Sequence, residues 1–375
     1  MSGLSRRIDR TAASLVPQPR LGPPARRWLA RPFGRRARLR LLAYYTPSAI
    51  SFSQIYPFFH HAAELKARHG AELRALPVDR LLAGDDGPEA DIVLVQPWFT
   101  VDPDRLGRAL DRLATRQPRA QVSFLDSFAP NDLRLARTVE PYVRFYLKRS
   151  LFRDRRLHLR PFRGDTNLTE YYADLYGLPR TEPVDWQVPP AILEKLRPFP
   201  NFFTAARFAD AFPAQGPPGP EGRTIDLHAR IGTRGAPWYS AMRRSARAGA
   251  ESLGVTLTPV GRIAQADYMA EMRRARLCFS PFGYGEICWR DIEAFEAGSV
   301  LVKPDMGHLE TRPDLYQPGV TYLAVRWDFA DLGPVVARAL ADPEGCRAIA
   351  REAHGRIARH LADRRFPDEI AFLFD

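Results

Sequence analysis

Cysteine, lysine and long apolar runs are all scarce in this 375-residue chain. Three cysteines (Cys278, Cys288 and Cys346) are too few for a disulfide framework, and their spacing matches no zinc site. No stretch approaches eighteen uncharged apolar residues, which excludes a membrane-spanning helix. The N-terminus is basic but lacks the short apolar stretch of a secretory leader, so a cytoplasmic protein is expected. His-Glu-x-x-His, P-loop, Gly-x-Gly-x-x-Gly and nucleophile-elbow patterns are all missing. Lysine occurs four times against 51 arginines, a bias that fits genome composition better than ligand recognition.

What is present is ample core material, with 45% hydrophobic and 11% aromatic residues. The net charge of +12 is concentrated at one end. Residues 1–40 hold eleven arginines against the single acid Asp9, so ten of the twelve positive charges sit there. The remaining body is nearly neutral and offers no broad phosphate-binding face, so no nucleic-acid partner is expected. Prolines 17, 19, 23, 24 and 32 argue against one long helix in this segment. Residues 1–37 are therefore read as a basic, mostly disordered tail, either in peripheral contact with an anionic membrane at its inner face or a solvated extension with no role.

Past residue 37, short apolar runs alternate with amphipathic stretches of helical length. Strands are expected over 39–45, 72–78, 91–97, 121–126 and 143–147, and again over 224–231, 255–259, 277–281, 300–303 and 321–325. This alternation predicts an α/β chain with two Rossmann-like, doubly wound parallel-sheet domains facing a central cleft. Residues 179–221 interrupt the pattern with ten prolines and are read as the inter-domain segment. The domains are accordingly placed at 38–178 and 222–375, with ligands at the carboxyl ends of the sheets.

The segment most informative about chemistry is Ser280-Pro-Phe-Gly-Tyr-Gly-Glu286, followed by a helix carrying Arg290 and Glu293 and capped by Gly298. At 100° per residue, Glu286, Arg290 and Glu293 share one helix face, opposite Cys288, Ile292 and Phe295. Gly283 and Gly285 let backbone approach a ligand, and the helix start offers unpaired N–H groups to a phosphate. Arg290 is suited to a forked phosphate contact, Glu293 to a ribose diol and Glu286 to sugar hydroxyls. The competing account is a solvated helix laced with Glu–Arg pairs.

Over roughly 255–345 the chain resembles the donor-binding half of glycosyltransferases with the two-domain GT-B fold. The residues carrying this are Gly261-Arg-Ile-Ala-Gln-Ala-Asp267, Glu293-Ala-Phe-Glu-Ala-Gly-Ser-Val-Leu-Val302, Glu310 and Pro318-Gly-Val-Thr-Tyr-Leu323. Pro281-Phe-Gly-Tyr-Gly-Glu286 with Arg290 and Glu293 is also similar to exostosin-type sequences. The resemblance implies a nucleotide-sugar held by the second domain, with Glu293 on the ribose and the glycine turn at the diphosphate. It also implies a basic residue near the end of the first strand of that domain, which suits Arg230. Gly232, Arg262, Ser280 and Tyr284 complete the expected donor site.

In the first domain, His60 is a candidate base in the region where an acceptor would sit. Asp126, at the end of the fourth strand, is a candidate catalytic carboxylate, with local capping as its alternative. Asp102-Pro-Asp104 reads as a helix start rather than a metal motif. The expected activity is metal-independent transfer of a sugar from a nucleotide-sugar, as substrate and without a cofactor. The expected acceptor is a glycan, lipid-linked or other cell-envelope molecule, in polysaccharide biosynthesis. Two rivals stay open, a sugar-nucleotide epimerase of the same fold and a non-catalytic nucleotide- or sugar-binding module.

Overall fold

The computed structural model describes residues 29–200, 202–219 and 222–375. Most of the basic tail, and the membrane contact expected of it, lies outside the described residues. Its last part, 29–37, is mostly exposed but touches the first domain at a few points. Leu29 is buried in the first domain, and the carbonyls of Arg31 and Pro32 accept hydrogen bonds from the Arg74 guanidinium.

Among the described residues there are fourteen strands: β1 (Leu39–Tyr45), β2 (Ala71–Pro77), β3 (Ile92–Gln96), β4 (Gln121–Asp126), β5 (Phe145–Lys148), β6 (Ser150–Phe152) and β7 (Phe162–Arg163). The series continues with β8 (Pro183–Val184), β9 (Leu196–Pro198), β10 (Ile225–His228), β11 (Ala275–Phe279), β12 (Val300–Pro304), β13 (Leu309–Thr311) and β14 (Leu323–Val325). The first sheet runs β2-β1-β3-β4-β5-β9 and the second β10-β11-β12-β14, with every pairing parallel. Two Rossmann-like domains are thus present, as the alternation of elements predicts.

Burial explains the first sheet. Leu42, Tyr44, Val93, Val95, Val122 and Phe124 point into one core, while Leu41, Ala43, Tyr45, Ile92, Leu94 and Leu125 point into another. A parallel sheet covered by helices on both faces needs apolar side chains at successive positions, and these strands supply them. β10 is different, alternating apolar Ile225 and Leu227 with Asp226 and His228. It lies at the edge of its sheet, where Asp226 pairs with Arg276 and accepts the Thr256 N–H. The expected strand over 255–259 is reduced to a single bridge between Leu227 and Leu257. Conversely, the proline-rich segment contributes β9, whose pairing makes it an edge of the first sheet, where proline is tolerated.

The cores do not divide at the proline-rich segment. Phe152, Phe162, Leu168 and Tyr172 join the core of the second domain, together with Phe202, Phe203 and Phe208. Phe366, Ile370 and Leu373, at the far end of the chain, are buried in the first domain. An antiparallel pair between β6 and β13 adds a hydrogen-bonded link. Among the described residues no helix is long and apolar enough to cross a membrane.

Burial keeps four histidines neutral. Burial holds His158 and His228 down to about 3, and His61 and His360 down to about 4. In the unfolded chain each titrates near the ordinary imidazole value of about 6.5. The stability they contribute is therefore complete above that value and is lost as pH falls below it, by up to about 1.4 kcal/mol per pH unit for each residue. Glu369, which burial pushes up to about 7, opposes this because it prefers its proton in the folded state, as do the carboxyls of Asp132 and Glu296. The urea midpoint is expected to drop between pH 7.5 and pH 5. A midpoint that does not move would mean that the four imidazoles accept protons without unfolding.

Candidate functional site

The helix at the centre of the expected donor site spans Trp289–Ala297, with Cys288 as N-cap and Gly298 closing it at φ 69°. The Asp291 side chain accepts the Cys288 N–H, fixing the helix start two residues after Glu286. The predicted face of Glu286, Arg290 and Glu293 therefore does not form, because Glu286 belongs to the preceding loop. Local capping chemistry overrides the helical spacing here.

Glu286 goes instead to the junction between the domains, and it has no solvent exposure. Oε2 accepts Asn131 Nδ2 at 3.0 Å, from the loop after β4. Oε1 accepts Asn167 Nδ2 at 2.9 Å, from the start of the Asn167–Leu175 helix, and His308 Nε2 at 3.3 Å, from the loop between β12 and β13. Burial alone would raise this carboxyl, but the hydrogen bonds from His308 and from the amide of Asn167 hold it below the usual glutamate range. A carboxylate accepts only, so His308 Nε2 must carry the proton of that bond. Its Nδ1 makes no bond within the protein. Asn131 is itself fixed, since Ser150 Oγ donates to its Oδ1 and His158 meets its carbonyl.

Gly285 explains how the two segments come so close. A Cβ on it would lie 2.3 Å from the Ala129 carbonyl oxygen, so only glycine fits. The expectation that Gly285 admits a ligand is corrected: what it admits is the backbone of the first domain. Gly283 donates its N–H to the Gly285 carbonyl and shapes the same turn.

Several other expected site residues already have partners. Arg290 is half-buried and donates to Tyr268 Oη and to the carbonyls of Phe279 and Arg230, so it braces strand ends. Arg230 makes a forked pair with Glu271 and also reaches the Gly261 carbonyl. Ser280 donates to Asp291, whose charge is balanced by buried Lys303. Tyr284 stacks on Tyr239 at 4.5 Å and accepts the Ala236 N–H, while the Gly232 carbonyl accepts from Arg243. Arg262 is exposed in the loop before the Gln265–Arg273 helix.

Glu293 does not pair with Arg290. Arg207 Nη1 and Gln265 Nε2 both bond its Oε1, at 2.8 and 3.0 Å. Oε2 takes no hydrogen bond, although the residue is mostly buried. In the first domain, Asp126 is held by Lys148 and Tyr146, each at 2.7 Å, and caps the Phe128 N–H. It is a structural carboxylate with no lone base function. His60 faces Asp210, which Tyr56 also bonds, and it is not brought to Glu286. Asp102 caps the Pro103–Arg116 helix through the Arg105 N–H.

Sequence reading missed Asn131 and Asn167, which lie 155 and 119 positions from Glu286, and His308, 22 positions away, because no local pattern links them to it. It also missed two arginines. Arg234, in the Gly232–Gly235 turn after β10, is exposed, and the glycines flanking it were the available signal. Arg149 is buried beside the Ala49–His60 helix, with Nη2 on the Ile50 carbonyl and Ser53 Oγ. Its guanidinium lies 4.3 Å over Phe202, which stacks on Trp289 at the start of the helix after Glu286. Nε and Nη1 have no partner, and burial lowers this guanidinium to about 9.

Two unpartnered nitrogens on a buried cation cost roughly 1–3 kcal/mol. Arg149→Met keeps the stem and the contact with Phe202 while removing them. The variant is expected to unfold within about 1 kcal/mol of the wild type or at higher urea, as replacement of buried charge by apolar volume often does. A loss of more than about 2 kcal/mol would show that the two bonds to Ile50 and Ser53 outweigh the unmade ones.

No family model matches this sequence, and no curated protein matches it. Among solved structures the chain is similar to Anabaena HepE in complex with UDP-glucose, at 10% identity over 89% of this chain and 99% of that one, with a TM-score of 0.46. It is also similar to a glycosyltransferase from Rickettsia africae, at 8% identity over 89% and 97% and a TM-score of 0.48. A third is sucrose-phosphate synthase from Thermosynechococcus elongatus, at 15% identity over 86% and 78% and a TM-score of 0.39. With TM-scores below 0.5, none of these likenesses by itself assigns this chain an activity.

Proposed function

We propose that this protein is a GT-B glycosyltransferase that moves a sugar from a nucleotide-sugar to a hydroxyl of a glycan, lipid-linked or other cell-envelope acceptor. The observation that carries the reading is Glu286, a buried carboxylate kept charged at the domain junction by groups from both domains. Such a group is expensive to maintain, and perturbed carboxylates of this kind concentrate at sites of chemistry.

In this reading the nucleotide lies on the second domain. Glu293 Oε2 accepts the ribose hydroxyls, and Arg234 in the Gly232–Gly235 turn meets the diphosphate, with Arg149 on the opposite side. Glu286 orients His308, whose Nδ1 takes the proton of the attacking hydroxyl. The new C–O bond forms as the bond from the sugar to the phosphate breaks, and the diphosphate leaves with the electron pair. The arginines stabilise that leaving group without a metal ion, so transfer is expected to continue in EDTA.

Two measurements check the assignment. Saturating nucleoside diphosphate is expected to stabilise the protein, by about 2.7 kcal/mol at one hundred times its dissociation constant. Glu293→Ala should weaken that binding by about 1.5–3 kcal/mol, the worth of hydrogen bonds to a charged group. Binding of every nucleoside diphosphate within about twofold of wild type in that variant would remove Glu293 from the donor site. His308→Asn is expected to slow transfer by about 10²–10⁴ and to leave nucleoside diphosphate binding intact. Unaltered turnover would exclude the imidazole as base. Product analysis separates transfer from epimerisation, and a protein that binds nucleotide but turns over no donor would be a binding module.

A further inference from the structure

A cavity of about 620 Å³ opens beside the polar cluster, on the far side of Asn167 and His308 from Glu286. Its apolar walls include Phe152, Phe162, Tyr171 and Trp327. Tyr171 meets Trp327 edge to face at 5.0 Å, and His308 sits against Trp327 at 4.9 Å. The rings are thus held in place before any ligand arrives. Tyr171 and Leu175 are exposed although both are large and apolar.

The polar groups of the cavity narrow the ligand further. Arg160 is its only arginine, and Glu170 pairs with it at 2.5 Å. Asp174 adds a second acid, held from outside the cavity wall by Arg163. No cation in the wall is left over for a phosphate, so the diphosphate of a nucleotide does not belong here. Asn167 offers something else. Glu286 can only accept, so the Asn167 amide must turn its Nδ2 toward Glu286, and this directs Oδ1 away from it. That oxygen is buried and has no partner. It is an acceptor waiting for a hydroxyl, next to His308, whose Nδ1 is also unpaired.

We propose that this cavity is a carbohydrate subsite, which on the transferase reading above is the subsite of the acceptor sugar. The apolar C–H faces of a sugar ring fit between Tyr171, Phe162 and Trp327, and its rim of hydroxyls reaches Asn167 Oδ1 and His308 Nδ1. A neutral, hydroxyl-rich ring satisfies both the aromatic walls and the unpaired acceptors, as a phosphate or a plain hydrocarbon cannot. Acceptor recognition then belongs to the 150–175 segment and to two loops of the second domain, not to the region around His60. A site built around a hydroxyl donor also rejects analogues lacking that group, because its own acceptors would be left unpaired.

The test uses the full-length chain and saturation-transfer NMR with a mixture of glucose, galactose, mannose, N-acetylglucosamine, rhamnose, lactose and cellobiose. Ring protons of at least one of these saccharides are expected to receive saturation from the protein. Tyr171→Ala removes one wall at an exposed position, and Leu175→Trp fills the cavity mouth. Each is expected to weaken the transfer by about fivefold or more, the usual size of an aromatic-anchor effect. Absence of transfer from all seven saccharides, or transfer that persists in both variants, would overturn the proposal. Thermal stabilisation by nucleoside diphosphate, measured on the same samples, reports separately on the donor reading. If it is missing while saccharide transfer behaves as expected, the cavity stands as a carbohydrate site and the transferase reading falls.

Discussion

A carboxylate removed from water stays ionised only when its surroundings replace the lost hydration, and Glu286 is placed where three segments do so together. Its partners are an asparagine from the first domain, an asparagine from the segment that crosses between domains and a histidine from the second. Remove any one of them and a buried charge is left short of a bond, which costs more than the bond itself contributes. The relative position of the two domains is therefore coupled to the protonation state of one side chain. Gly285 makes the arrangement sterically possible, because the Ala129 backbone occupies the space of a side chain.

Around this cluster, charge is handled in two ways. Asp126 with Lys148, Asp291 with Lys303, and Arg230 with Glu271 are matched pairs, internally satisfied and structural in effect. Arg149, Glu293 Oε2 and Asn167 Oδ1 are left incomplete. Folding alone gives no reason for such omissions, since each unmade bond on a buried group works against stability. On the proposed reading these are the places where an incoming molecule completes the count.

Particular residues show how far the sequence reaches. The alternation of short apolar runs with helical stretches was sufficient for two parallel-sheet domains, because strands covered on both faces leave few other patterns. β1 and β4 match the expected spans, 39–45 and 121–126, at both ends. Gly298 as a helix stop and Asp102 as a helix start were also readable, since capping is a local event. The site was less readable. Glu293 and the glycine turn were singled out through their neighbours in sequence, but the shared helix face of Glu286 and Arg290 does not form. Capping by Cys288 and Asp291 starts the helix later than periodicity suggests.

The sequence by itself determined the class of fold and the alternation of its main strands and helices. These follow from interactions over a few residues, whose cost and benefit are visible in the local pattern. Only the tertiary structure decided which charges are matched and which are open. Asn131 lies 155 positions from Glu286 and Arg207 lies 86 from Glu293, and no periodicity links them. Arg290 and Arg230 look like phosphate ligands in the sequence because they are charged and well spaced. Folding surrounds the first with carbonyls and the second with Glu271, since burial requires every donor to find an acceptor. The role of a charged residue is set by what is packed against it, and that is fixed only when distant segments meet.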